Sequence, residues 1–126
     1  MKFLLDTHLL LWWLSNNALL PAQARQLIGD PNNTIFVSAV SLWEIWLKSS
    51  IGKLRVPSDF DQKLAAEPFQ SLPLRAEHTG TVAMLVWHHR DPFDRMLIAQ
   101  AQTEKLVLLT VDSVLKSYGG SVRVVG

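Results

Sequence analysis

Four carboxylates stand where the surrounding sequence gives a charge little reason to be. Asp6 interrupts the most apolar segment of the chain, "MKFLLDTHLLLWWLSNN". Glu44 lies in "SLWEIWL", Asp94 in "DPFDRML", and Asp112 closes "LVLLTVD". Acids brought together in such company repel one another. A site built of them is stable only with shared protons or bound cations. Oxygen donors select hard ions, so Mg²⁺ or Mn²⁺ is the natural partner. Such ions polarise a phosphoryl oxygen and activate water, which points to hydrolysis of a phosphodiester.

The elements that must position these acids follow from local pattern. "KFLLD", "NTIFVS", "FQSLPL", "LVLLTVD" and "SVRVV" read as strands, the last at a sheet edge. Between them, "THLLLWWLSNN", "PAQARQLIGD", "AVSLWEIWLKSSIGKL", "DFDQKLAAE" capped by Ser58, "RAEHTGTVAMLVW", "PFDRMLIAQAQTEK" and "DSVLKSYGG" read as helices. Strands alternating with helices predict a three-layer α/β/α sandwich around a parallel sheet. Such sheets bind ligands beyond the carboxyl ends of their strands, where Asp6 and Asp112 fall. Each acid also has a structural role open to it. Asp6 and Asp112 can cap the helices they precede, and Asp91 can cap the helix that opens at Pro92. Glu44 can close a capping box with Ser41, although Ser38 serves equally well as the cap of a longer helix.

Length and composition set the frame. The chain has 126 residues, nearly half apolar, and reads as one domain over residues 1–126. Its formal charge of +1 supplies no global field for nucleic acid, so any such contact must come from a local basic patch. Without cysteine there is no disulfide, thiolate metal site or cysteine nucleophile. The apolar start imitates a signal peptide, but an Asp in a membrane-inserting core costs on the order of 3 kcal/mol. No run reaches membrane-spanning length, and the expected location is the cytoplasm.

"LLDTHLLLWW", "VSAVSLWEIWLKSSIGKL", "HHRDPFDRMLIAQA" and "LVLLTVD", in this order across the whole chain, carry a family likeness. The sequence resembles the PIN-domain ribonucleases, and within them the VapC-type toxins of prokaryotic toxin–antitoxin pairs. The resemblance implies that Asp6, Glu44 and Asp94 are the principal metal-binding acids. Asp112 then matches the fourth, more variable acid, with Thr110 beside it and Thr7 next to Asp6. It also implies an Mg²⁺- or Mn²⁺-dependent endoribonuclease acting on single-stranded or looped RNA and leaving a 5′-phosphate and a 3′-hydroxyl. A small antitoxin protein is the implied inhibitor, and RNA processing is the alternative role for such a nuclease.

Further residues invite a reading from their positions. His88, His89, Arg90 and Arg95 cluster around Asp94, and the two arginines are candidates for RNA phosphates. Lys48 is set four residues after Glu44 for a helical ion pair. His8 is expected as a core histidine, and Trp43 and Trp46 as core aromatics. Trp12 and Trp13 cannot share one direction on a helix. Leu9, Trp12 and Trp13 are therefore candidates for an antitoxin groove or a homodimer contact. Two other classes compete. A phosphoryl-accepting receiver domain needs paired acids after its first strand, where this chain has Asp6-Thr7-His8. A non-catalytic binding module would use the acids only as helix caps.

Overall fold

A strand buried on both faces needs apolar side chains at every position rather than at alternate ones. β1 (Lys2–Leu5) meets that requirement, with Phe3, Leu4 and Leu5 all buried. The computed structural model describes residues 1–126 and places β1 at the centre of a five-stranded sheet. Its companions are β2 (Thr34–Ser38), β3 (Gln70–Leu72), β4 (Val107–Thr110) and β5 (Val122–Val124). The order is β3-β2-β1-β4-β5, and every neighbouring pair is parallel.

Alternation along the strands divides the core into two layers. Phe3, Leu5, Ile35, Val37 and Leu109 join one cluster with Leu9 and Leu10 of α1 (Thr7–Leu14), Ala24 and Ile28 of α2 (Ala22–Gly29) and Phe60 of α4 (Phe60–Ala65). Leu4 and Leu108 point the other way. They join Leu97, Ile98 and Ala101 of α6 (Pro92–Glu104), Leu115 of the 3₁₀ segment Ser113–Ser121, and Leu85 just beyond α5 (Ala76–Met84). This is the three-layer α/β/α sandwich that the sequence predicts. α3 (Ala39–Ser50) touches both layers, through Ile45 in the first and Val40 in the second.

Several local expectations are corrected. Asp59 rather than Ser58 precedes α4, and no side chain caps that helix. α5 stops at Met84, so Leu85, Val86 and Trp87 belong to the connection before α6. The closing helix is 3₁₀ and kinks at Gly119, whose φ of 84° suits glycine. Trp43 and Trp46 are exposed rather than buried, at 59% and 45%. The inward stripe of α3 consists of Val40, Ser41, Glu44 and Ile45. With 3.6 residues per turn, that stripe turns Trp43, Trp46 and Leu47 outward. An acid occupies the core-facing position, and the indoles are displaced to the surface.

The sheet order reverses between β1 and β4, and this is where an open parallel sheet forms a crevice. Leu5 pairs with Leu109, so Asp6, just past the end of β1, comes beside Thr110, the last residue of β4. The Asp6 amide donates to the Leu109 carbonyl at 3.1 Å, holding them in that register.

Candidate active site

Asp6 sits at the N-cap of α1 and is 4% exposed. One carboxylate oxygen accepts from the Leu9 amide at 2.9 Å, and the other accepts from the Thr110 hydroxyl. The Thr110 hydroxyl in turn accepts from the Asp112 amide at 3.1 Å, so the ends of β1 and β4 are tied through one threonine. Burial raises the Asp6 pKa, the bonds from Thr110 and Leu9 and the charge of His8 oppose the rise, and repulsion from Glu44 adds to it. Thr7, also buried, donates to the Ser41 hydroxyl at 3.1 Å and joins α1 to α3.

Ser38 caps α3 by accepting from the Val40 amide, so the longer helix is the one that forms. Ser41 lies buried within it and takes no part in a cap. Glu44 is consequently brought to the inner face, 4% exposed. Its Oε2 pairs with Lys48 Nζ at 2.6 Å, whereas its Oε1 is buried without a hydrogen-bond partner. The bond to Glu44 is the main cause that raises the Lys48 pKa; burial opposes it, and the charges of Glu44, Asp91 and Asp94 add to it. This lysine therefore feels three of the acids, Glu44, Asp91 and Asp94.

Asp91 caps α6, accepting from the amides of Phe93 and Asp94, and Pro92 occupies the first turn. Asp94 is then free of capping duty. Its Oδ2 lies 2.9 Å from Nε2 of His89. Burial, reinforced by the charges of Asp91 and Asp6, pushes its pKa up to about 6 against the opposing bond from His89. Asp112 caps the 3₁₀ segment through the Val114 amide. Its carboxylate also lies with the His89 imidazole and the Asp94 carboxylate, their ligand atoms all within 4.8 Å of one another.

Charge links Asp6 to Glu44, and Asp94 to Asp91 and Asp6, but Asp6 and Glu44 stand outside the group that His89, Asp94 and Asp112 form. The residues fit a divalent ion for a structural reason. An unpartnered buried carboxylate oxygen is costly, and Glu44 Oε1 stands beside acids that already repel. A hard cation would satisfy the orphan oxygen and the excess charge together.

The surrounding residues depart further from expectation. Arg95 is 3% exposed and presents no charge to a phosphate. Its guanidinium donates to the carbonyls of Val82, Leu85 and Val86 and to the Tyr118 hydroxyl, and it lies 3.7 Å from the centre of the Trp87 ring. It pins the connection between α5 and α6. Arg90 is exposed and pairs with no acid. Leu9 is fully buried in the core, which removes it from any contact surface. Trp12 and Trp13 are both half-buried and diverge, Trp12 lining a groove with Leu54 and Pro57 and Trp13 one with Ile28 and Asp30. His8 is exposed and packs on Trp12 at 5.9 Å, not in the core.

His89, which the sequence sets beside Asp94 as one of a basic group, is a direct partner of its carboxylate. One residue escapes a reading of the sequence alone. Tyr118 gathers the segment by donating to the Val86 carbonyl and accepting from the His89 amide and Arg95. No motif marks it.

Known proteins share this architecture. The VapBC2 complex from Rickettsia felis, solved bound to a DNA fragment from its promoter, matches with a TM-score of 0.70 at 16% identity over 98% of this chain and 97% of the other. VapBC-5 from Mycobacterium tuberculosis, a toxin–antitoxin system, matches at 0.61 and 21% identity over 98% and 97%. VapBC-1 from nontypeable Haemophilus influenzae gives 0.62 and 17% over 94% and 92%. No curated protein matches the chain. The PIN domain family matches residues 3–121, from β1 to the end of the 3₁₀ segment. The chain belongs to the PIN domain family.

Proposed function

We propose that the chain is an Mg²⁺- or Mn²⁺-dependent endoribonuclease, the toxin of a toxin–antitoxin pair, acting in the cytoplasm. The observation that carries the catalytic reading is the orphaned, buried Oε1 of Glu44 beside Asp6. Helix capping accounts for Asp6, Asp91 and Asp112, as a binding module would require, but not for Glu44 or Asp94. Membership of the PIN family and the toxin–antitoxin complexes among the structural neighbours support the same reading.

In this mechanism Asp6, Glu44, Asp94 and Asp112 hold the ion. When bound, it supplies Lewis-acid charge and acidifies water. Thr110 fixes the rotamer of Asp6, and Thr7 fixes α1 against α3. Arg90, exposed beside Asp91, meets the RNA backbone. Water adds to phosphorus and the 3′-oxygen leaves, so products carry a 5′-phosphate and a 3′-hydroxyl. Incubation of RNA with the protein and Mn²⁺, followed by end mapping, tests this reading. Metal-dependent cleavage with 5′-phosphate ends is expected. Cleavage that survives chelation, or cyclic phosphate ends, contradicts it.

The partner reading assigns Trp12 and Trp13 to the antitoxin contact, or to a contact between two copies. Anchoring aromatics contribute about 2 kcal/mol or more each at such surfaces. The Trp12→Ala, Trp13→Ala double variant is expected to lose on the order of 10³-fold in antitoxin affinity, about 4 kcal/mol, while its far-ultraviolet circular dichroism is retained. Unchanged affinity, measured by calorimetry with the antitoxin encoded beside the gene, removes these residues from the interface.

A further inference from the structure

The cluster at the start of α6 contains a nitrogen donor that a purely carboxylate site does not need. His89 Nε2 lies 2.9 Å from Asp94 Oδ2. In an octahedron with bonds of about 2.1 Å, cis ligands are about 3.0 Å apart and trans ligands about 4.2 Å. The His89–Asp94 separation is already that of two cis ligands. The full span of His89, Asp94 and Asp112, within 4.8 Å, needs only a small side-chain movement to surround one ion.

The imidazole is also held from behind. The His89 amide donates to Tyr118, and Arg95 reaches the His89 carbonyl at 3.5 Å, so the backbone is fixed on both sides. In the metal-free site Nε2–H donates to Asp94, while Nδ1 makes no hydrogen bond and can take the ring proton when an ion replaces that bond, which leaves the Nε2 lone pair for the ion. His78, in the other histidine–acid cluster, differs on this point. Its Nδ1 accepts from the Arg75 amide at 3.0 Å and its Nε2 bonds to Glu104 at 3.0 Å. With its acceptor nitrogen fixed in that way, His78 is a pin between α5 and α6.

We propose that His89 is a nitrogen ligand, through Nε2, to the ion held by Asp94 and Asp112. The site is then a mixed nitrogen–oxygen one that favours a first-row transition ion over Mg²⁺. Mg²⁺ keeps to oxygen ligands and dehydrates reluctantly, whereas imidazole suits transition ions. The orphaned Oε1 of Glu44 lies beside Asp6, whose charge in turn reaches Asp94, so the lack of a cation extends along the acids next to this group. The inference rests on the metal-site reading above but can fail alone.

Electron spin-echo envelope modulation of the full chain loaded with Mn²⁺, without RNA, tests it. The expected result is nitrogen modulation from a directly bound imidazole, shifted to ¹⁵N frequencies when the histidines are ¹⁵N-labelled. The chain has four histidines. The signal is expected to persist in the His8→Gln, His88→Gln double variant and to vanish in His89→Gln. In His89→Gln, Mn²⁺ affinity is expected to fall by about 10- to 100-fold, the range seen on losing even an outer-shell partner, with Mg²⁺ affinity within about twofold. Bound Mn²⁺ without nitrogen modulation overturns the His89 assignment and leaves the metal site standing. So does modulation that persists in His89→Gln. No bound Mn²⁺ at all overturns both. Should His89→Gln not fold, labelled wild type and the double variant still decide, because His78 has both nitrogens engaged.

Discussion

Asp94→Asn is expected to abolish RNA cleavage and, without metal, to make the protein more stable above pH 6. The two effects have one cause. Loss of a direct metal ligand removes several kcal/mol of transition-state stabilisation, on the order of 10³-fold in rate. The same carboxylate is a burden to the metal-free fold, because burial and its neighbours Asp91 and Asp6 hold its pKa at about 6 instead of the usual 3.8. A group whose pKa is raised on folding stabilises fully below its unfolded pKa and loses that contribution as pH rises through the folded one. Metal-free wild type should therefore lose stability between about pH 4 and pH 6, and the Asn variant should not show this component. The rise corresponds to about 3 kcal/mol, reduced to on the order of 2 kcal/mol because the Asp94 side chain keeps 24% exposure. Thermal melting across that window with a chelator checks it. A variant that is inactive and also less stable at pH 7 would make Asp94 a structural residue instead.

Arg95→Leu is expected to cost about 2 to 3 kcal/mol of folding stability, through the buried Leu85 carbonyl that loses its donor and the lost stacking on Trp87. The isolated guanidinium donates to four carbonyls, at Val82, Leu85, Val86 and His89, and to one hydroxyl, at Tyr118. Leucine fills part of the volume and leaves the Leu85 carbonyl unpaired, whereas Val82 still accepts from the Leu85 amide and Val86 from His88 and Tyr118. Arg95→Lys should rescue little, since a single ammonium cannot span the fork. Because the same network holds the backbone of His89, residual folded protein should also bind Mn²⁺ more weakly. Denaturant melts are the measurement. A loss below about 1 kcal/mol would return Arg95 to the status of a surface cation, available to RNA.

The legible and illegible parts of this molecule separate along physical lines. The central strands announce themselves because burial on both faces demands apolar residues throughout, as in Phe3 to Leu5 and Leu108 to Leu109. Asp91 and Pro92 mark the start of α6 by chemistry local to the helix end. The convergence of Asp6 and Thr110 follows from strand order alone, once the sheet is known to be parallel. Residues on α3 were harder to place. In "SLWEIWL" apolar residues flank Glu44 on every side, so periodicity cannot say which stripe turns inward. Val40, Ser41 and Ile45 decide it by packing on other elements, and the tryptophans go outside. Arg95 is misread for a related reason. Its partners are mostly backbone carbonyls of a connection whose shape no sequence pattern specifies.

The most direct measurement is anomalous diffraction from a crystal of the protein soaked with Mn²⁺. The account predicts one strong peak served by carboxylate oxygens from Asp6, Asp94 and the free Oε1 of Glu44, each bound directly at about 2.2 Å or through one water. Mn²⁺ only at surface acids such as Glu77 and Glu104, with Glu44 Oε1 still unpartnered, would contradict it.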